Sequence, residues 1–508
     1  MLIGIDASRA WVPAPTGTEL YSRRLIQALL ALASPHRFRL YVRSAPPAGL
    51  FPSVNPPSPC SASSVNPPDP CSASSVNPPN PCSASSVNPP NPCSALSVNP
   101  PDPCSASSVN PPDPCSASSA NPPNPCYIAE LRIIRCRRLW THLGLSWEMA
   151  RRPPDVLFVP AHVLPLVHPR VSLVTIHDLG YLYFPEAHPF HQRCYLDLST
   201  RWSARAAAHL LADSAATRAD LVARYGVPAD KVTVAWPGRD ETLVPLRDPA
   251  AIEQVKARYG IAGDYFLYLG TLQPRKNLAR IIAAFASLQS QAVLVLAGKR
   301  GWLYQDLFAQ VRRLGLEGRV LFPGYVPGED KAALLSGALA FVFPSLYEGF
   351  GLPVLEAQSC GCPVVASTTS SLPAVAGDAA LLVDPGDVAA IAVAMGRLAA
   401  EPALRQALVE RGFANVRRFS WAACARTVMD VLEQYAAERP SPHPSPRRGE
   451  GAGVRASPPS PSQGEGAGVR ASPPSPSQGE GPGVRVGLSH TRNLWYNLLC
   501  LWKRTLTP

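Results

Sequence analysis

The chain has 508 residues, room for two or three domains, and combines 46% hydrophobic residues with 59 prolines, far above ordinary usage. A net charge of +11 favours anionic partners such as nucleotide phosphates or acidic lipid surfaces. No basic helix interleaved with aromatics argues for nucleic acid. No apolar run approaches the ~18 residues of a membrane span, and "MLIGIDASRA" lacks the basic and long apolar regions of a signal peptide. A cytosolic protein with reduced thiols is expected.

"LIGIDAS" opens the chain as an apolar strand, and the loop "RAWVPAPTGT" leads to a helix from Glu19 to about Ala33. "RFRLYVRS" is a second strand, so the chain begins as an alternating α/β domain. The pattern then breaks. From Ser53 to Cys126 the unit "SVNPPxPCSAS" recurs every 11 residues, with cysteines at 60, 71, 82, 93, 104, 115 and 126. One isolated Cys per repeat gives no Cys-x2-Cys pair, no nearby His and an odd count, which argues against a disulfide or metal array. Prolines and a lack of apolar residues predict a flexible insertion. After it, 129–152 reads as a basic helix. "DVLFVP" and "VSLVTIHDL" read as strands, 190–208 as a helix, and "HLLADS", "AATRADLVARYG" and "KVTVAWPG" as strand, helix and strand.

A second α/β series follows a connecting helix: "YFLYLG", helix 277–289, "AVLVLAG", helix 302–314, "RVLFPGY", helix 329–337, "LAFVFPS", helix 352–360, "PVVAS", "ALLVDP" and helices to about Ala437. Two such domains joined by a short link place a cleft between them, lined by strand C-terminal ends. From Arg439 a Pro/Ser/Gly-rich unit recurs with a period of 15, predicting disorder. The final "NLWYNLLCLWKRTLTP" fits contact with an anionic membrane surface, or is translated sequence past the domain end.

Four stretches carry candidate chemistry. In "FPSLYEGFGLPVLEAQSCGCPVVAS" a strand turns through Gly349 and Gly351 into a helix at Leu352. The backbone N–H groups of Phe350, Gly351 and Leu352 are free there and suit an anion such as phosphate. Glu348 and Glu356 flank the turn and suit hydroxyl-rich groups; the plainer reading is a helix start with two solvated acids. In "PTGTELY", Gly17 permits close ligand approach or makes an ordinary turn. In "TIHDLGYLYFPEAHP", His177 and Asp178 end a strand, where His binds a sugar hydroxyl, carries a proton or is structural. In "LGTLQPRKNLARI", Arg275 and Lys276 open a helix, an arrangement opposed to its macrodipole unless an anion sits there. No Asp-x-Asp or spaced His/Cys set suggests a metal, so no metal cofactor is expected.

These motifs resemble the retaining glycosyltransferases of family 4, over nearly all of 1–437 outside the repeats. The most specific element is Glu348-x7-Glu356, and "HDL…P" is similar to a mannosyltransferase-like subgroup. The resemblance implies a GT-B fold of two Rossmann-like doubly wound domains facing a cleft. Residues 1–245 would be the acceptor domain, with the insertion at 51–126, residues 246–437 the nucleotide-sugar domain, and 438–508 repeats and tail. It implies a GDP- or UDP-linked donor and a glycan or lipid-linked acceptor, with the alternative of a catalytically weakened glycan-binding or scaffolding relative of the same fold. His177, Lys276 and Glu348 match catalytic positions. Gly17, Arg275, Lys276, Val326, Glu348, Gly349, Phe350, Gly351, Leu352 and Glu356 match donor-binding ones, with Glu356 on ribose and Lys276 on diphosphate. Departures are Thr271 where an Arg is usual, Glu19 in place of a second Gly, and Ala374 in place of Glu. The protein is expected in the cytoplasm, at most peripheral at the inner membrane face.

Overall fold

The computed structural model describes residues 1–12, 17–47, 50–51, 54–55, 129–136 and 138–437. The expected cysteine repeats and the C-terminal repeats and tail lie outside them. The first lobe is built on an eight-stranded parallel sheet. Its strands are β1 (Leu2–Asp6), β2 (Arg37–Val42), β3 (Val54–Asn55), β4 (Ala129–Ile133), β5 (Val156–Val159), β6 (Ser172–Ile176), β7 (His209–Ala212) and β8 (Val232–Val234), in the order β3-β4-β2-β1-β5-β6-β7-β8. β5 is an unbroken apolar run, and β1 and β6 on either side of it are buried along nearly their whole length, because helices cover both faces of the sheet.

One expectation fails here. Residues 129–152 do not form a continuous helix: Ala129–Ile133 is a strand, pairing with β2 in the register Phe38↔Ala129. Its charged side chains pair with neighbours. Glu130 takes Arg39 at 3.0 Å, and Arg132 reaches Glu148 at 2.9 Å. Helical structure begins only at Trp140 with a π-helical segment, Trp140–Leu145, followed by Ser146–Arg151.

The second lobe carries a six-stranded parallel sheet of β9 (Tyr265–Leu269), β10 (Val293–Ala297), β11 (Val320–Leu321), β12 (Ala340–Phe343), β13 (Val364–Ser367) and β14 (Ala380–Val383). Their order, β11-β10-β9-β12-β13-β14, is the Rossmann order 3-2-1-4-5-6. Connections leave β9 and β12 in opposite directions, which opens a crevice at the carboxyl ends of those two strands. The last helix, Trp421–Ala437, returns to the first lobe. It buries Trp421, Ala425, Val428 and Leu432 against the helix Gly17–Ala31 and strand β5. Its polar side agrees: His209 Nδ1 meets the Tyr435 hydroxyl at 2.8 Å.

The start of the range 51–126 is folded chain. Phe51 is buried in the first lobe's core and Val54–Asn55 pairs with β4. A deletion confined to the repeats therefore begins at 56. Replacing 56–126 with a short Gly/Ser linker and ending the chain at 437 is expected to leave the melting temperature within a few degrees of the full chain, because the repeats offer almost nothing apolar to bury. A thermal melt of the two proteins checks this, and a collapse on deletion would overturn it.

Candidate active site

The crevice beside β9 and β12 faces the first lobe across a cleft of about 480 Å3, and every residue expected at the site lines it. After β9 the chain makes a 3-10 turn, Pro274–Lys276, and the helix begins at Leu278. Asn277 between them is left-handed (φ 63°), and its buried amide donates to the Pro344 and Pro385 carbonyls at 2.9 and 2.7 Å. This pins the turn to the loop after β12. Arg275 and Lys276 thus precede the helix, contrary to expectation, and their charge is answered within the protein. Lys276 Nζ lies 2.5 Å from Glu348 Oε1, and Arg275 Nη1 lies 3.5 Å from Glu348 Oε2 and 2.6 Å from the Tyr347 carbonyl.

Burial alone would raise the Glu348 carboxyl, but Lys276 and Arg275 outweigh it and hold it below the usual carboxylate range. For Lys276 burial wins: the ammonium is pulled down, and Glu348 restores it only in part. The three side chains form a buried, net cationic cluster open to the cleft.

The turn after Glu348 is shaped by its second strand neighbour. Ser371 Oγ donates to the carbonyls of Glu348 and Phe350 at 2.9 and 2.6 Å, and Ser370 Oγ accepts from Glu348 N–H at 2.9 Å. Those contacts hold the carbonyls of the loop. Among the described residues the N–H groups of Phe350 and Gly351 have no hydrogen-bond partner, and both residues line the cleft. Gly351 has φ 122°, a conformation side chains rarely adopt, and a Cβ there would meet Leu372 at 2.6 Å. The helix Leu352–Ser359 starts immediately after, with Pro353 in its first turn.

Glu356, one turn into that helix, is not an open carboxylate. Lys331 Nζ lies 3.0 and 2.8 Å from its two oxygens. Burial would pull the Lys331 ammonium down, but Glu356 outweighs it and holds it up. Lys331 comes from the helix Gly328–Ser336, just after Val326, and no motif in the sequence marked it. Any hydroxyl that reaches Glu356 meets an ion pair there.

His177 is brought to the cleft wall, yet its ring is committed inside the first lobe. Nδ1 meets Asp213 Oδ2 at 2.8 Å and Nε2 meets the Pro160 carbonyl at 3.0 Å. A carbonyl only accepts, so Nε2 carries a proton and donates. Burial disfavours the imidazolium, but Asp213 and the two hydrogen bonds raise the pKa of His177 overall. Tyr21 packs edge-on against the ring at 4.7 Å. Gly17, at the start of the Tyr21 helix, and Val326, beside Tyr325, complete the expected set. Thr271 also lines the cleft, with Arg275 across the same turn. Among the described residues no group of three or more His, Cys, Asp or Glu is placed to hold a metal ion. No helix among them is long and apolar enough to cross a membrane.

Two facing parallel α/β lobes, closed by a returning C-terminal helix and carrying the site at their carboxyl edges, define the GT-B class of glycosyltransferase. Residues 253–414 match the family described as "Glycosyl transferases group 1", and residues 114–243 match "Glycosyltransferase Family 4". The chain is 35% identical over 306 residues to the O-antigen chain mannosyltransferase B of Escherichia coli, covering 59% of this chain and 80% of that protein. In fold it is similar to the sucrose-phosphate synthase of Thermosynechococcus elongatus (TM-score 0.58, 20% identity, 86% of this chain and 100% of that one). It is likewise similar to Anabaena HepE in complex with UDP-glucose (TM-score 0.57, 17% identity, 85% and 99%). The chain belongs to glycosyltransferase family 4.

Proposed function

We propose that this glycosyltransferase moves a hexose, mannose in the first instance, from a nucleotide-diphosphate sugar to a glycan or lipid-linked acceptor, with retention and without a divalent metal. The observation that carries the reading is the juxtaposition of Lys276, Arg275 and the unpartnered Phe350 and Gly351 amides at the switch point of the second sheet. Fixed donors and cations in a partly closed cleft stabilise a departing diphosphate without further reorganisation. The similarity to a mannosyltransferase supports mannose, and with it GDP as the carrier ahead of UDP.

In this mechanism the bond between the anomeric carbon and the diphosphate oxygen breaks first. Lys276, Arg275 and the two amides take up the negative charge that develops on the diphosphate. One of its oxygens accepts the proton of the acceptor hydroxyl, and the new glycosidic bond forms on the face the diphosphate leaves. Glu348 contacts hydroxyls of the transferred sugar and Glu356, paired with Lys331, those of the ribose. His177, with both ring nitrogens engaged, positions the cleft wall and takes no proton. Closure of the lobes excludes water.

Incubation with GDP-mannose, UDP-glucose and UDP-galactose in EDTA, with nucleoside diphosphate release followed and the product's anomeric signal read by NMR, tests all three parts. Release from GDP-mannose with an axial, donor-like anomeric configuration is expected. Release from none of them would sink the donor site. Activity lost in EDTA and restored by Mg²⁺ would overturn the metal-free reading, and an inverted product the front-face one.

A further inference from the structure

The loop that carries Glu348 is fastened to the opposite lobe by the residue before it. Tyr347 is 6% exposed, and its hydroxyl donates to Asp220 Oδ2 at 2.5 Å. Asp220 sits on the helix Ala215–Tyr225 of the first lobe. Its other carboxylate oxygen accepts from the Tyr183 hydroxyl, also of the first lobe. The two phenol rings stack at 5.2 Å and 22°, and the Arg224 guanidinium covers Tyr183 at 4.8 Å. The Tyr347 hydroxyl also accepts from the Leu179 N–H at 3.4 Å, at the far end of the His177–Asp178 loop. On its own lobe, the Tyr347 carbonyl receives Arg275 at 2.6 Å. One residue thus contacts the Glu348 cluster through its backbone and the facing lobe through its side chain.

We propose that Tyr347 is a positioning residue for glycosyl transfer: its hydrogen bond to Asp220 bolts the Glu348 loop to the first lobe in the closed enzyme, and donor entry or product release requires that bond to open. The physical case rests on three features. A hydrogen bond to a carboxylate is stronger than one between neutral groups. Asp220 is poised by Tyr183 and Arg224 whether or not Tyr347 is present. The bond also spans the two lobes, so its free energy enters the closed state and not the open one. Losing it is expected to shift the closed-to-open ratio about 10- to 100-fold. Nothing in the helix or the loop taken alone needs the bond to fold. The acid on the helix and the tyrosine on the loop would each be satisfied by water in an open molecule.

The choice of donor in the test rests on the function proposed above, but the first readout does not. Hydrogen exchange of the ligand-free protein is compared for wild type, Tyr347→Phe, Asp220→Asn and the double variant. Tyr347→Phe is expected to speed exchange in 345–350 and also in the helix 215–225 of the other lobe, with a melting temperature near wild type. The double variant should match the more affected single one, since both remove the same bond. Faster exchange confined to 345–350, or additive effects, would overturn the bolt and leave Tyr347 a residue of its own loop. With GDP-mannose as probe, Tyr347→Phe should lower kcat about tenfold or more, raise the share of donor lost to water, and leave the Kd for GDP within about twofold. A wild-type protein that neither binds GDP nor turns over the donor would sink the donor reading, while the exchange experiment would still decide the bolt.

Discussion

Lys276→Ala should lower kcat by about 10²–10³ with the second lobe still folded. Lys276 Nζ sits 2.5 Å from Glu348 and 4.8 Å above the Phe343 ring, at the mouth of the crevice between β9 and β12. In the proposed mechanism negative charge on the diphosphate grows as its bond to the sugar breaks. A cation beside it therefore matters more in the transition state than in the bound donor, and kcat should fall further than donor affinity. The substitution also has a cost in stability, because one partner of a buried pair is removed. That cost is limited, since Arg275 stays within reach of Glu348 and the cluster opens to the cleft. A second effect separates this variant from a merely loosened one. Without Lys276 the force holding the Glu348 carboxyl down is weakened, so its pKa rises. The ionised form is then lost at a higher pH, and the acidic limb of the pH–rate profile moves up. Lys276→Arg, which keeps the charge, should recover part of kcat and return that limb. Steady-state kinetics across pH, with a melt of each variant, decide the matter. Unchanged kcat in Lys276→Ala would place the diphosphate elsewhere, and Arg275→Ala would be the next variant to measure.

The alternating strand–helix pattern was enough to read two α/β lobes, because unbroken apolar strands such as "YFLYL" and "AFVF" admit few other environments. The turn chemistry of "EGFGLP" announced in the same way a helix start with the Phe350 and Gly351 amides left unpartnered among the described residues. What was illegible came from contacts between residues distant in the chain. "AELRI" reads as a helix until Arg39 is placed beside Glu130 and β2 beside the whole segment. Arg275 and Lys276 read as cations waiting for an external anion, whereas Glu348, more than seventy positions on, already answers them. Glu356 reads as an open acid until Lys331 arrives from a neighbouring helix. The Tyr347–Asp220 bond joins two ordinary residue types on different lobes, and no local pattern marks either. Periodicity fixes which elements form and which face they bury, while the state of each polar group depends on a partner that periodicity does not locate.

Gly349→Ala is expected to reduce kcat by at least about 10²-fold while leaving the second lobe intact. The reason is space, not backbone freedom. A Cβ on Gly349 would lie 2.0 Å from the His177 carbonyl oxygen and 2.7 Å from Asp178 Cβ, both on the opposite lobe. The obstructing oxygen is backbone at the end of β6, so no rotamer change relieves the contact. Thr217 adds to the constraint, because its hydroxyl lies 3.1 Å from the His177 carbonyl and 3.4 Å from the Gly349 carbonyl, bridging the lobes at this point. A methyl group can be accommodated only if the lobes separate or the loop withdraws. Either movement displaces Glu348 and the Phe350 and Gly351 amides from the His177–Asp178 loop, by an ångström or more at the reacting centre. Nucleotide contacts made within the second lobe would persist, so the Kd for GDP should change only a few-fold while transfer collapses. Gly328→Ala is the matched control: it opens the helix Gly328–Ser336, and a Cβ there meets nothing within 4 Å. It should keep wild-type kcat and melt at or slightly above the wild-type temperature, since alanine narrows the unfolded ensemble. Calorimetric titration with GDP, transfer kinetics and melts on both variants make the comparison. Wild-type kcat in Gly349→Ala would show that the close apposition of Gly349 and His177 is not the arrangement in which sugar is transferred.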